Sequence, residues 1–515
     1  MPVIVSWKTI AVIVAYMLVV IAIGVWSTKR VSSMRDYLVA GDGFGRWVVS
    51  FGIVGAIVSG AGVLGNAGSG YGTGYALYVQ TMGLSFLGLT LAYFLLAKPM
   101  TVIAKKHEVY TLPDVLALRY GDSTAVRILS GVATALGSMI YLVVQFVAIG
   151  YIGTTIFGWS LGLSLFVGGA VVVAYCVGGG IVAAMWTNFF QLLVLSVFVV
   201  YFAVYTVGQV GGLTALHRQM TEIDPELVQP WHASGAFAWQ NVLVYAFFVG
   251  LLAYAGVPHI STKFLTIRNL EVIRWIPLIS CFLYLFAVAA TWIGMAYRVQ
   301  AEQGLVPPVD EPDAVLPALM LDSFGPVVVG IMIAAVLAAV MSTTDSFMVL
   351  SGAAIVRDIA KKGLGLRLSD RQEMTWSRVA SVLVMVVAGF IALNPPEFVL
   401  SLMAVAWGAL AAMLGPVLYL GVRWKRATTQ GAIAALVAGI AIGGVLALLN
   451  RTVFADAPLL APWNIAAIGV AVSYLALIVV SLLTKPQPSR MFAHFAAHAG
   501  TPADPALDAA GPSRP

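Results

Sequence analysis

Residues Gly325–Val356 read "GPVVVGIMIAAVLAAVMSTTDSFMVLSGAAIV", and within this run the only charged side chain is Asp345. A helix rises 1.5 Å per residue, so a run of this length is long enough to cross about 30 Å of hydrocarbon. It therefore reads as a transmembrane helix with an acid inside it. Ser342, Thr343 and Thr344 stand immediately before the acid. An ionised Asp at a helix centre costs about 2.5–3.5 kcal/mol on insertion scales, so such residues face a cavity or an ion path. The alternative is that Asp345 lies near enough to one helix end to reach water. Residues three or four apart share a helix face, which aligns Ser342, Asp345 and Ser346 with the small residues Ala338 and Ala339. Hard cations take oxygen ligands. Hydroxyls alone on a membrane helix would read as packing glue; together with the carboxylate they read as a candidate cation site.

The surrounding chain has the same character. Of 515 residues, 60% are hydrophobic and 10% charged, against about 25% charged in soluble domains. Apolar runs of about 20 residues recur from end to end, while the ~10-residue alternation of a membrane β-barrel is absent. Thirteen spans are expected, at approximately 7–27, 47–72, 76–104, 125–156, 160–180, 187–208, 239–258, 273–297, 325–356, 375–394, 398–422, 430–450 and 463–484. The first has no small-residue cleavage site after it and reads as a retained helix. Cys176 and Cys281 both fall in spans, so no disulfide framework is expected.

Basic residues concentrate in alternate loops: Lys29, Arg30 and Arg35; Lys105, Lys106 and Arg119; Lys263, Arg268 and Arg274; Arg357, Lys361, Lys362, Arg367 and Arg371; Arg423, Lys425 and Arg426; Lys485 and Arg490. The other loops carry Glu222, Asp224, Glu226, Glu302, Asp310, Glu311 and Asp313. With basic loops inside, the N-terminus is expected outside and the C-terminus in the cytoplasm. The net charge of +6 is then topological, and a nucleic-acid partner drops out. The tail His494–Pro515, rich in Ala and Pro, is expected to be disordered.

A second stretch, "SFGIVGAIVSGAGVLGNAGSGYGTGYA" (Ser50–Ala76), carries Gly at 52, 55, 60, 62, 65, 68, 70, 72 and 74. That much glycine weakens a helix. Two readings remain open: close packing of helices, or an unwound segment whose carbonyls hold sodium, as in many secondary transporters. "YCVGGGIVAAMWTNFFQ" (Tyr175–Gln191) brings Thr187, Asn188 and Gln191 into a span after a glycine turn. "YAGVPHI" (Tyr254–Ile260) ends a span at a proline, where His259 is expected to be a satisfied interfacial residue. The six histidines show no metal spacing, and no nucleophile–base pattern supports an enzyme.

These motifs resemble the sodium:solute symporter family, which includes bacterial sodium/pantothenate and sodium/proline permeases. The markers are "AAVMST" (Ala338–Thr343), "GGGIVAAMWTNFFQ", "GVPHI", "NPPEFVLSLMAVAWGALAAMLGPV" (Asn394–Val417) and "IDPELVQP" (Ile223–Pro230). The resemblance runs to about Pro488. It implies an all-α, LeuT-like core of two inverted five-helix repeats, 47–208 and 239–422. Residues 1–46 then form a first helix and cytoplasmic linker, 423–484 two C-terminal helices, and 485–515 a cytoplasmic tail.

The resemblance also implies a sodium site made by the carbonyls of Gly55, Val58 and Ala339 and the hydroxyls of Ser342 and Thr343. It places solute against Ser59, Asn66, Tyr141, Gln145, Tyr254 and Trp407. Three departures stand out. Asn188 replaces the Asp of the family's "WTD" motif, Ile57 stands where proline permeases carry an Asp, and Asp345 occupies a position that is typically a hydroxyl residue. Asp345, Ser346, Ser342 and Asn188 are therefore expected to form a second cation or proton site. Gly250 stands where proline permeases have a tryptophan, whereas Gln145 and "IDPELVQP" look more like the pantothenate permease. No Arg or Lys is expected in the core to neutralise a solute carboxylate. The bound sodium and a half-helix N-terminus would do so.

The expected function is sodium-coupled symport of a small organic solute (a carboxylate, a vitamin such as pantothenate, or an amino acid such as proline) by alternating access in the plasma membrane. A membrane-embedded sensor, a proton-coupled symporter and a passive channel are the alternatives.

Overall fold

The computed structural model describes residues 6–488 apart from 42, 77–83, 234, 236–237, 253, 395–398 and 447–461, together with residues 492 and 495. Most of the expected C-terminal tail, the "PPEF" of the 394–417 motif and parts of the spans expected at 76–104 and 430–450 lie outside the described residues. Regular structure among the described residues is helical, with two isolated bridges, Phe44–Ile267 and His232–Ala238.

Nine of the described helices are long and apolar enough to cross a membrane. A bent pair, Arg46–Ile57 with Gly62–Thr73, makes a tenth, and three shorter apolar helices run Leu161–Cys176, Trp239–Leu251 and Thr429–Gly443. Their outer faces leave large apolar side chains exposed, among them Phe94, Phe166, Val204, Phe282, Leu383 and Phe390. Exposed tryptophans sit near helix ends, including Trp7, Trp26, Trp47, Trp239 and Trp275, the aromatic belt expected at a bilayer interface. The protein is a multi-pass membrane protein.

Eight helices build the site: α1 (Arg46–Ile57), α2 (Gly60–Thr73), α3 (Thr124–Phe157), α4 (Gly180–Gln209), α5 (Trp239–Tyr245), α6 (Pro258–Ser261), α7 (Pro326–Ala353) and α8 (Val399–Arg423). Helix α7 is the central member. It packs on α1, α2, α3, α4 and α6, and nearly every side chain from Met332 to Ala353 is buried. A helix apolar on all sides has no solvent face to present, which is why this stretch shows no amphipathic pattern.

Helices α1 and α2 are two halves of one broken helix, bent by 55°. Val58 leaves helical geometry (φ −80°, ψ 87°). Ser59, in extended backbone, caps α2 by accepting the Gly62 N–H at 3.0 Å, a favoured role for serine at a helix start. Glycine is needed at the joint for space: a Cβ on Gly60 would sit 2.0 Å from Cγ2 of Val340 on α7. The break is thus held against the middle of the central helix.

A second break mirrors it in kind. After α5 the chain passes through a wide turn at Ala246–Leu251 and a 3₁₀ turn at Tyr254–Gly256 before α6 restarts at Pro258. Proline suits a first helical position because its missing N–H would be unpaired there anyway. The two broken segments are tied together where Phe44 N–H donates to Thr266 O (2.8 Å) and Arg268 N–H donates to Phe44 O (3.0 Å).

Candidate functional site

The hydroxyls of α7 converge on the first break. Ser342 Oγ donates to Gly55 O at 2.7 Å or to Ala339 O at 3.0 Å, and Thr343 Oγ1 donates to Ala56 O at 3.2 Å or Ala339 O at 3.4 Å. Both residues are essentially buried. The structure therefore gathers Gly55, Ala339, Ser342 and Thr343 around one point, with the Ala56 carbonyl as an additional oxygen. Val58 sits at the break itself, its N–H closing on Val54 O at 2.8 Å. Five oxygens without a carboxylate form a neutral, oxygen-rich cradle of the kind a hard monovalent cation accepts. Unwinding supplies it: carbonyls that would point along a continuous helix are released at its end.

One turn along α7, Asp345 is fully buried. Its Oδ2 accepts from Thr187 Oγ1 (3.0 Å) and Tyr175 OH (3.4 Å), and its Oδ1 accepts from Ser346 Oγ (3.2 Å). Asn188 Nδ2 donates to Ser346 Oγ at 3.5 Å, and the Asn188 Oδ1 is buried without a hydrogen-bond partner among the described residues. Asp345 thus lies in the packed interior and is far from either end of α7, so it does not reach water there. Thr187 and Tyr175, which hold its carboxylate, come from the "YCVGGGIVAAMWTNFFQ" stretch.

The structure corrects the reading of two basic groups. Lys263, assigned from sequence to a basic loop, is fully buried, and its Nζ donates to Gly52 O (2.6 Å) and Ser346 Oγ (3.3 Å). Its segment folds back into the core because the turn after α6 continues as a 3₁₀ helix, Thr262–Thr266, packed on α1. His259, read from sequence as interfacial and satisfied, is also fully buried, and neither ring nitrogen has a hydrogen-bond partner among the described residues.

His259 belongs to an aromatic cluster. Its ring lies 4.5 Å from Phe347 and 5.3 Å from Trp407 (centroid distances). Tyr141 stacks on Phe347 at 4.4 Å and lies 5.9 Å from His259, while Tyr254 lies 5.1 Å from Trp407. Tyr141, Tyr254 and Trp407, named from sequence, are thus brought together with two residues sequence reasoning did not select. Gln145, one turn beyond Tyr141 on α3, is buried with its side-chain oxygen and nitrogen both unpartnered among the described residues. Buried polar atoms are normally satisfied, so the orphaned atoms of Gln145 and His259 are open to hydrogen bonds from a ligand or from water. Ser59 lies at the break, whereas Asn66 is half-buried two turns along α2, about 10 Å beyond Ser59.

A charged network clamps the far end of α7, outside this site. Asp114 accepts from Arg127 (2.5 Å), Lys362 (2.8 Å) and Arg357 (3.1 Å), and Arg357 also pairs with Glu373 at 2.7 Å. Lys361 pairs with Glu373 as well, and Thr111 donates to Asp358 at 2.7 Å. Burial works against the charged form of Asp114, but Arg357, Lys362 and Arg127 outweigh it and hold the carboxyl well below its usual range.

A broken helix opposed by a hydroxyl-bearing central helix is a transporter arrangement, and comparison with known proteins decides which. The sequence profile of the sodium:solute symporter family matches residues 37–439. The chain belongs to the sodium:solute symporter family. It is 28% identical over 424 residues to the high-affinity proline transporter PutP of Bacillus subtilis, covering 81% of this chain and 88% of that protein. Among solved structures it resembles a Na+-coupled sialic acid symporter in a substrate-bound outward-open state, with a TM-score of 0.77 at 16% identity over 94% of this chain and 99% of that one. MhsT in complex with L-phenylalanine gives a TM-score of 0.52 at 14% identity, over 85% of this chain and 97% of that one. The structural likenesses establish a LeuT-like helical fold shared with Na+-coupled transporters. Within the symporter family, the lysine and histidine after "GVP" are the signals sequence reasoning passed over. They stand three and seven residues after the 3₁₀ turn at Tyr254–Gly256, where the chain turns back into the protein.

Proposed function

We propose that this symporter couples the entry of a small solute to sodium by alternating access, with sodium held between the first break and α7. The observation that carries this is the convergence of Ser342 and Thr343 on the carbonyls of Gly55 and Ala56. Gly55, Val58, Ala339, Ser342 and Thr343 serve as ligands, and the ion pins α1 to α7 when it binds. The Asp345, Ser346 and Asn188 cluster forms a second cation position one turn away. Solute sits against Ser59, Tyr141, Gln145, Tyr254 and Trp407, to which we add His259 and Phe347. Asn66 lines the approach along α2.

Gln145 and His259 offer hydrogen bonds without a formal charge requirement, while the aromatic faces suit an apolar ring or an amine. This favours a compact amino acid such as proline, with small carboxylates and pantothenate as the other candidates. Counting the bent pair and the three shorter apolar helices as spans beside the nine long ones gives thirteen, and on that count we read the core as repeats at 47–208 and 239–422. Basic loops inside then place the N-terminus outside and the C-terminus in the cytoplasm.

Reconstituted vesicles test the reading. An imposed inward sodium gradient accumulates labelled proline, or another accepted solute, above its outside concentration. A sensor binds without accumulating, and a channel only equilibrates. A proton-coupled cycle is the second reading, favoured by the burial of Asp345; accumulation driven by a pH gradient in sodium-free buffer would establish it. Asp345→Asn lowers uptake or changes its ion dependence on either reading, and unchanged rate, sodium affinity and stoichiometry would sink the second position.

A further inference from the structure

We propose that the second cation position is filled by the chain itself: the ammonium of Lys263 stands where a second sodium would bind, and the protein takes up a single sodium ion. The inference rests on the symport reading above and specifies its stoichiometry.

The geometry is that of a tethered ion. Lys263 Nζ contacts a backbone carbonyl, Gly52 O at 2.6 Å, and a hydroxyl, Ser346 Oγ at 3.3 Å. These are oxygen ligands of the same kind that the main site offers one turn away at Gly55 and Ser342. The ammonium reaches the carboxylate through Ser346, whose hydroxyl is 3.2 Å from Asp345 Oδ1 and 3.3 Å from Ser342 O. Asn188 donates to the same hydroxyl. The residues nominated for a second cation therefore surround a cation already present.

Charge balance gives the arrangement its consequence. A buried ammonium and a buried carboxylate are each costly alone and tolerable together. Lys263 and Asp345 sum to zero, so a sodium ion added to the cluster would put two positive charges on one carboxylate. Removing the lysine charge leaves the carboxylate with its hydroxyl and amide neighbours and no counter-ion, which is a sodium site.

The position is also mechanical. Gly52 is one turn before Gly55 on α1, and Ser346 is one turn after Ser342 on α7. Lys263 thus bridges the same two helices that the transported ion bridges, but permanently. Its anchor is the chain segment after α6, which is itself paired to the start of α1 through Phe44 and Thr266. A fixed internal cation holds the two helices in register, and the mobile one then decides whether the break is closed.

Counting sodium on the purified full-length protein with ²²Na⁺, without any solute, tests this. The wild type is expected to bind one ion per chain, with that affinity weakened about tenfold in Ser342→Ala. Lys263→Gln is expected to bind two, and Lys263→Gln with Asp345→Asn one again. Two ions on the wild type, or one on folded Lys263→Gln, would overturn the assignment to Lys263 while leaving symport standing. A wild type that binds no sodium would overturn both. Should Lys263→Gln not fold, Lys263→Met is counted in its place, with two ions expected and one overturning the assignment; the charge-retaining Lys263→Arg is expected to bind one, and two on it contradict the proposal.

Discussion

At the scale of single residues, the proposed function assigns the two hydroxyls of "AAVMST" to the ion and the polar groups of His259 and Gln145 to the solute. Ser342→Ala deletes one oxygen at the break and leaves Gly55 O without its donor. Sodium-dependent uptake is expected to need about tenfold more sodium, the equivalent of about 1.4 kcal/mol, with the solute KM at saturating sodium little changed. His259→Ala should do the reverse, raising solute KM by tenfold or more while ²²Na⁺ binding without solute stays as in the wild type. A His259→Ala variant that loses sodium binding instead would show that the ring serves the packing of Phe347 and Trp407. The oxygen cluster was legible in sequence because Ser, Thr and Asp are conspicuous in an apolar run. His259 and Lys263 were not: a polar residue just past a helix end reads as interfacial unless the backbone is known to turn inward. Only the 3₁₀ segment Thr262–Thr266 shows that it does.

At the scale of elements, the protein depends on two helix breaks held against unbroken helices. The first approaches α7 at Gly60 and the second approaches α8 at Gly256, where a Cβ would lie 2.1 Å from Gly415 Cα. Backbone cannot yield as a flexible side chain can, so Gly256→Ala should cost more than an ordinary overpacking substitution of about 1–3 kcal/mol. The check is thermal unfolding of the purified protein, where Gly256→Ala is expected to melt lower than Gly72→Ala, a position with open space around its added Cβ. The glycine run at Ser50–Ala76 announced that something other than a plain helix was present. It did not say whether the glycines served packing or unwinding. The structure assigns Gly60 to packing and puts the unwinding at its non-glycine neighbours Val58–Ser59, because a break must sit close to its partner for the partner's hydroxyls to reach the freed carbonyls.

At the scale of the whole molecule, the charged network at the far end of α7 joins four segments through Asp114, Arg127, Arg357 and Glu373. Asp114→Asn would leave three cations short of a partner, and breaking a buried pair in this way costs roughly 3–5 kcal/mol. The Asp114 carboxyl is held below its unfolded value of about 3.9, so its contribution is fully present above about pH 4 and disappears as pH falls through the folded-state value. The melting gap between wild type and Asp114→Asn should therefore be constant from pH 6 to 8 and narrow only in strong acid. A gap that changes between pH 6 and 8 would assign the effect to another group. On the proposed cycle ion and solute bind the same closed arrangement and should raise each other's affinity by equal factors, which paired titrations of sodium and solute would read directly.

Composition and apolar run length alone made this chain a multi-pass helical membrane protein, since only helices and closed barrels satisfy backbone hydrogen bonds in hydrocarbon and the short alternating segments of a barrel are absent. Local motifs were enough to mark the family and the position of the α7 hydroxyls, because those features are contiguous. What only the tertiary structure decided is who faces whom. Thr187 and Tyr175 meet Asp345, Lys263 lies one hydroxyl away from that acid, and His259 stands in an aromatic cluster assembled from α3, α6, α7 and α8. These partners are separated by tens to hundreds of residues along the chain. Their proximity is set by helix packing, and a linear pattern carries no record of it.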